Sequence, residues 1–105
     1  MAQARNIAVG TVEGTGAALN VSVGFTPAHV LILNEDGLAR LEWHTTMTAG
    51  HGIKTVTAGT ISKITSDGIT PYAGTDALSE GFTIGADADV NVDGETIHYI
   101  AYGEF

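Results

Sequence analysis

Cysteine is absent from this sequence, which removes disulfide stapling, thiolate catalysis and cysteine-ligated zinc at once. A thiol-free chain is also at ease in a reducing cytoplasm. Basic residues are nearly as scarce: Arg5, Arg40, Lys54 and Lys63 stand against 12 acidic residues, for a formal net charge of −8. Neutralising phosphates takes several clustered Lys or Arg, so no nucleic-acid partner is expected. An anionic membrane surface is disfavoured on the same ground. No apolar run approaches the roughly 18 residues of a spanning helix, and MAQARNIAVG lacks the apolar core of a signal peptide. Neither a membrane span nor a standard export signal is expected. Charged residues make up only 15%, against about a quarter in ordinary domains. So little charge points to a surface partly covered by other subunits.

What is present reads as a β protein. The 105 residues suffice for one domain with its own core, and a hydrophobic fraction of 44% sets the chain apart from an acidic disordered tail. Leu19, Val21 and Val23 alternate with Asn20 and Ser22, the period of a half-buried strand. Val30–Leu33 is a continuous apolar run, which predicts a central strand buried on both faces. Asn34-Glu35-Asp36-Gly37 is turn chemistry, and Leu41, Trp43 and Thr45 alternate in a further strand whose single tryptophan anchors the core. Residues 47–54 read as an exposed loop. Thr55–Thr65 is β-branched with a turn or bulge at Gly59, Asp67-Gly68 is a hairpin-type turn, and Ile69–Gly81 with Pro71 reads as a long loop. No amphipathic helix is evident. The expectation is an all-β antiparallel sandwich or barrel, jelly-roll-like, with little or no helix.

The two ends frame this domain. Residues 1–18, rich in small residues and glycine, read as a short strand and a flexible arm preceding a sandwich over 19–105. At the other end Asp87, Asp89, Asn91 and Asp93 alternate with apolar residues, Asp93-Gly94 offers a tight turn, and Ile97–Tyr102 is strand material. Together they predict a C-terminal hairpin closing a sheet. Gly24-Phe25-Thr26 precedes Asn34, Asp36 and Gly37 at the offsets at which Gly81-Phe82-Thr83 precedes Asn91, Asp93 and Gly94, the pattern of an internal duplication.

Tests for chemistry return little. An EF-hand register through Asp87, Asp89 and Asp93 lacks its closing glutamate, so a solvated polar face is the leading reading and cation binding stays open. His29, His44, His51 and His98 show no metal-type spacing; Glu42 and His44, two apart on a strand, suit a surface hydrogen-bonding pair. The serines lack a nucleophile elbow, Gly14-Thr15-Gly16 lacks the rest of a dinucleotide fingerprint, and no phosphate loop precedes Lys54. No catalytic residue, metal or cofactor is assigned. Tyr72, Tyr99, Tyr102 and Phe105 are interface candidates, since aromatics bury large area with little entropy loss.

Val21–Asn34, with its Gly-Phe-x-Pro-x-x-Val core, and the closing stretches Gly81–Gly85 and Ile97–Tyr102 together resemble small virion proteins of tailed bacteriophages. These are capsid decoration (cement) proteins and short tail or fibre β-modules. The resemblance implies a homotrimer on the capsid exterior, assembled in the bacterial cytoplasm, which clamps major capsid subunits. Tyr72, Tyr99, Tyr102, Phe105 and Trp43 are the candidates for an oligomer or capsid interface, with a mini-core at the sheet edge as the other reading of the C-terminal aromatics. The same pattern is similar to trimeric H-type lectin domains. That implies the alternative, a tail or fibre module binding a receptor or glycan. No lectin ligand is carried over residue by residue, and a sugar patch of aromatic and Asn or Asp side chains would have Trp43 and His44 as its best candidates.

Overall fold

The computed structural model describes residues 6–75 and 79–103, where the alternating segments form strands and no helix. In chain order they are β1 (Ile7–Glu13), β2 (Leu19–Ser22), β3 (Pro27–Asn34), β4 (Ala39–His44), β5 (Gly52–Thr55), β6 (Ile61–Ile64), β7 (Ile69–Tyr72), β8 (Gly81–Ile84) and β9 (Thr96–Gly103). All pairings are antiparallel, in a six-stranded sheet ordered β1-β9-β3-β4-β5-β6 and a three-stranded sheet ordered β2-β8-β7. The sheets stack as a sandwich and neither closes into a barrel.

Alternation decides which side chains meet between them. Val30, Ile32, Leu41, Trp43, Ile97 and Ala101 of the larger sheet pack with Val21, Ile69, Phe82 and Ile84 of the smaller. Each large aliphatic or aromatic side chain so buried is worth about 1.5–3 kcal/mol. Trp43 is fully enclosed, and its indole N–H donates to the Thr48 carbonyl at 3.2 Å. Tyr99 leans edge-on against Phe82, with ring centroids 5.7 Å apart. Room for that ring comes from Gly10 on β1, where a Cβ would lie 2.7 Å from the Tyr99 hydroxyl.

Several segments depart from the sequence expectation. The short strand expected within residues 1–18 forms as β1 and belongs to the sandwich, pairing with β9 along its whole length. Ile69–Tyr72 is a strand despite Pro71, because β7 is an edge strand that pairs with no strand but β8 (its Ile69 also bonds to Gly50 and His51) and so tolerates a missing N–H at Pro71. The exposed loop after Met47 ends at Gly52, where β5 begins. The C-terminal hairpin does not form; β9 lies inside the six-stranded sheet between β1 and β3. Asp93-Gly94 does make a turn, with Gly94 at φ 83° and Glu95 N–H bonded to the Val92 carbonyl at 3.0 Å. It leads from an irregular connection into β9.

That connection, residues 85–95, fails as a strand because its side chains capture its own backbone. The Asp87 carboxylate accepts from Asp89 N–H and Val90 N–H at 2.9 and 3.1 Å, and Asn91 N–H donates to the Asp87 carbonyl at 3.0 Å. Asn91 is buried and satisfied on both sides of its amide. It accepts from Thr15 and Gly16 N–H and donates to the Ala17 and Gly85 carbonyls. Asn34 is also buried: it accepts from Asp36 and Gly37 N–H and donates to the Asp89 carbonyl and Glu95 carboxylate. These two amides are what the repeated Asn-x-Asp-Gly pattern shares. The rest of the duplication is not structural, since Phe25 precedes β3 whereas Phe82 lies within β8.

Asn91→Ala leaves buried donors and acceptors unpaired on both sides of the missing amide and is expected to cost about 3 kcal/mol. Urea unfolding measures it; a loss below about 0.5 kcal/mol would mean water replaces the amide without penalty.

Candidate functional site

The three-stranded sheet covers one face of the six-stranded sheet, and the other face is open. Outward positions there are Ile7, Val9, Thr11 and Glu13 on β1, and His98, Ile100 and Tyr102 on β9. Beside them lie His29, Leu31 and Leu33 on β3, and Arg40, Glu42 and His44 on β4, with Ile53 and Lys63 toward the far edge. Six large apolar side chains are exposed on this face, with Val9 at 72% and Ile61 at 69%. Ile7, Val9, Leu33 and Tyr102 stand on β1, β3 and β9, and Ile53 and Ile61 on β5 and β6 beyond the polar Arg40, Glu42 and His44 of β4. Leu31 and Ile100 lie half-buried among them. The apolar run of β3 is therefore covered on one side only, where the sequence predicts cover on both.

On this face Arg40 and Lys63 stand against Glu13 and Glu42, and the Glu35 carboxylate pairs with His98. Every other described carboxylate, including Asp67, Glu80, Asp87, Asp89 and Asp93, lies in a connection between strands. Most of the negative charge thus lies outside the open face, and Glu35, from the β3–β4 turn, reaches onto it by pairing with His98.

Register builds a cluster at one end of it. His29 on β3 pairs with His44 on β4 and with Tyr102 on β9, so three rings stand side by side across three strands. The His29 and His44 rings are stacked, 2° from parallel with centroids 4.4 Å apart. Tyr102 lies over the other side of His29 at 5.5 Å. Glu42, two residues before His44 and on the same face, places one carboxylate oxygen 3.0 Å from His29 Nε2 and 3.2 Å from His44 Nε2. Linear spacing hides this cluster, because His29 and His44 meet only through the register of the β3–β4 hairpin. The one local signal is the Glu42-x-His44 pair.

The interface candidates fall apart in space. Tyr102 is on the open face. Tyr99 points to the opposite side of β9, into the space between the sheets, and Tyr72 is half-buried on β7 in the other sheet. They form no common patch. Trp43 is core, so its ring is enclosed and unable to stack on a sugar from outside, and it parts company with the exposed His44 beside it. Phe105 lies outside the described residues.

The aspartates of 87–93 are not aligned on a strand face. Asp87 and Asp89 converge on Lys54, whose ammonium donates to Asp87 at 3.0 and 3.3 Å and to Asp89 at 2.8 Å. The cation that gathered carboxylates favour is supplied by β5. Asp93 is exposed and takes no part. Burial pulls the Lys54 ammonium down, but the hydrogen bonds and charges of Asp89 and Asp87 outweigh it and hold the group above the ordinary 10.5.

No family model matches the chain, and no curated protein or solved structure matches it.

Two outcomes follow from this geometry. A lysine held above its unfolded value stabilises the fold fully below pH 10.5, and that contribution fades as pH rises through the raised value. Between neutral pH and pH 10 the Lys54 contribution should therefore stay flat, and above it wild type should lose stability relative to Lys54→Met. Parallel stability curves for the two proteins would show that the contact is inconsequential. In the ring row, Tyr102→Ala is expected to cost about 0.5–1 kcal/mol, the worth of a cross-strand aromatic pair. A double-mutant cycle with His29→Ala measures whether that loss is a coupling between the two rings.

Proposed function

We propose that this chain is a structural virion protein that binds the outside of a phage capsid through the open face of its six-stranded sheet. It thereby fastens neighbouring major capsid subunits to one another. The observation that carries this reading is the uncovered face of the six-stranded sheet. On it Ile7, Val9, Leu31, Leu33, Ile100 and Tyr102 neighbour one another on β1, β9 and β3, with Ile53 and Ile61 exposed beyond the polar β4 row. Monomeric proteins rarely leave a contiguous apolar patch of more than a few hundred Å² in water, and larger ones serve as interaction surfaces. The acidic connections keep copies apart in solution until a complementary surface captures them. The resemblance of Val21–Asn34 and Gly81–Tyr102 to capsid decoration proteins supplies the partner class, and a homotrimer at three-fold positions supplies the stoichiometry. Three modest contacts engaged together hold far more tightly than one.

Val9→Lys and Ile61→Lys place a charge on exposed positions of this face without touching the core. Each is expected to fold as wild type and to weaken binding to undecorated capsids at least tenfold, since each 1.4 kcal/mol of lost contact is a factor of ten. In purified particles, quantitative mass spectrometry should find the chain at an abundance near that of the major capsid protein. Capsid binding undiminished in both variants would overturn the docking face. A copy number of only a few tens would move the chain to the tail and make receptor binding its task.

A further inference from the structure

The cluster at the end of the open face has a chemistry that subunit docking does not use. Glu42 Oε2 sits between two imidazole nitrogens, and no Lys or Arg side chain hydrogen-bonds to that carboxylate among the described residues. Arg40, the nearest cation along β4, stands two residues away on the same face. Among the described residues the Glu42 carboxylate contacts no charged or titratable side chain but His29 and His44. Their three potential ligand atoms lie within 4.8 Å of one another. A tetrahedral zinc ion with bonds of about 2.0–2.2 Å spaces its ligand atoms roughly 3.3 Å apart. The 3.0 and 3.2 Å separations already present are close to that spacing.

We propose that His29, Glu42 and His44 form a mononuclear site for a first-row divalent transition ion, with zinc as the reference case. Two imidazoles and one carboxylate suit Zn²⁺, Ni²⁺ or Cu²⁺; Ca²⁺ and Mg²⁺ require sets of oxygens that this face does not offer. The strands hold the ligands in place. Glu42 and His44 leave one strand on one face, and His29 stands opposite His44 on the next, so the backbone ladder fixes all three Cβ positions before an ion arrives. The ring planes must change, since parallel imidazoles aim their lone pairs side by side and an ion needs them convergent. Rotation about each Cβ–Cγ bond converges them and gives up the stacking of His29 between His44 and Tyr102, contacts that ion binding must outweigh. Three protein ligands leave a fourth position open toward solvent on the docking face. Water fills it in the free protein, and a donor from a bound partner replaces that water in an assembly.

The test uses the full chain, stripped of metal with a chelator. Titration calorimetry with Zn²⁺ is expected to give one ion per chain, and Co²⁺ in its place to show the intense visible bands of tetrahedral coordination. His29→Ala and His44→Ala are each expected to weaken Zn²⁺ binding by more than about tenfold, at least the loss seen when a ligand's supporting contact is removed. His51→Ala is expected to bind as wild type, and Ca²⁺ to give no competing heat. His44 is exposed at the end of β4, so its variant stays folded, checked by circular dichroism, if the His29 variant does not. Absence of Zn²⁺ binding to wild type would overturn the proposal. So would undiminished binding in His44→Ala, or cobalt spectra of octahedral type. These outcomes do not depend on capsid binding, so the site and the docking face stand or fall separately.

Discussion

Two buried asparagine amides hold the sandwich together at one end. A β-sandwich must return its chain repeatedly from one sheet to the other, and each crossing brings backbone N–H and C=O groups out of the ladders. Asn91 answers four of these groups from the β1–β2 and β8–β9 crossings with a single side chain. Asn34 answers three such groups and the Glu95 carboxylate where the β3–β4 turn meets the β8–β9 crossing. An unpaired buried amide is costly, so either the loops hold this arrangement or the sheets separate there. Lys54 adds a charged clasp from β5 to the same crossing. With the crossings fixed, Phe82, Ile84 and Ile69 are presented to Trp43, Leu41 and Ile32 at the right depth.

The unequal sheets then set what the surface can do. Three strands cover one face of six, and the remaining face keeps β-branched and aromatic side chains in water. Such residues suit a strand whether or not they are covered, which makes them inexpensive to keep on a face that awaits a partner. The same flatness explains why the chemistry of this surface is shared among neighbours instead of lying in a cleft. His29, His44 and Tyr102 come together because antiparallel pairing sets one residue of each strand in a row. A docking surface and a metal site are both natural products of that geometry.

The apolar run Val30–Leu33 located β3, and the β-branched and aromatic run Ile97–Tyr102 located β9. Period-two patterning was legible in β2 and β4, where it set the core position of Trp43. It misled at Asp87–Asn91, where alternation is the by-product of aspartate and asparagine side chains folding back on their own backbone. It was overruled at Ile69–Tyr72, where Pro71 reads as a breaker and an edge strand accommodates it. The Asn34-Glu35-Asp36-Gly37 turn was legible from its chemistry, though the left-handed residue there is Leu38, at φ 56°.

The sequence by itself determined an all-β, acidic, thiol-free chain with turns at Asn34–Gly37, Gly59 and Asp93-Gly94. Those properties are local, set by side-chain alternation and by the φ preferences of a few residues. Only the tertiary structure decided that β9 lies inside the larger sheet, that the β3 run is covered on one side, and that His29, Glu42 and His44 converge. Each of these depends on strand order and register, which arise from long-range pairing and burial that no window of neighbouring residues contains.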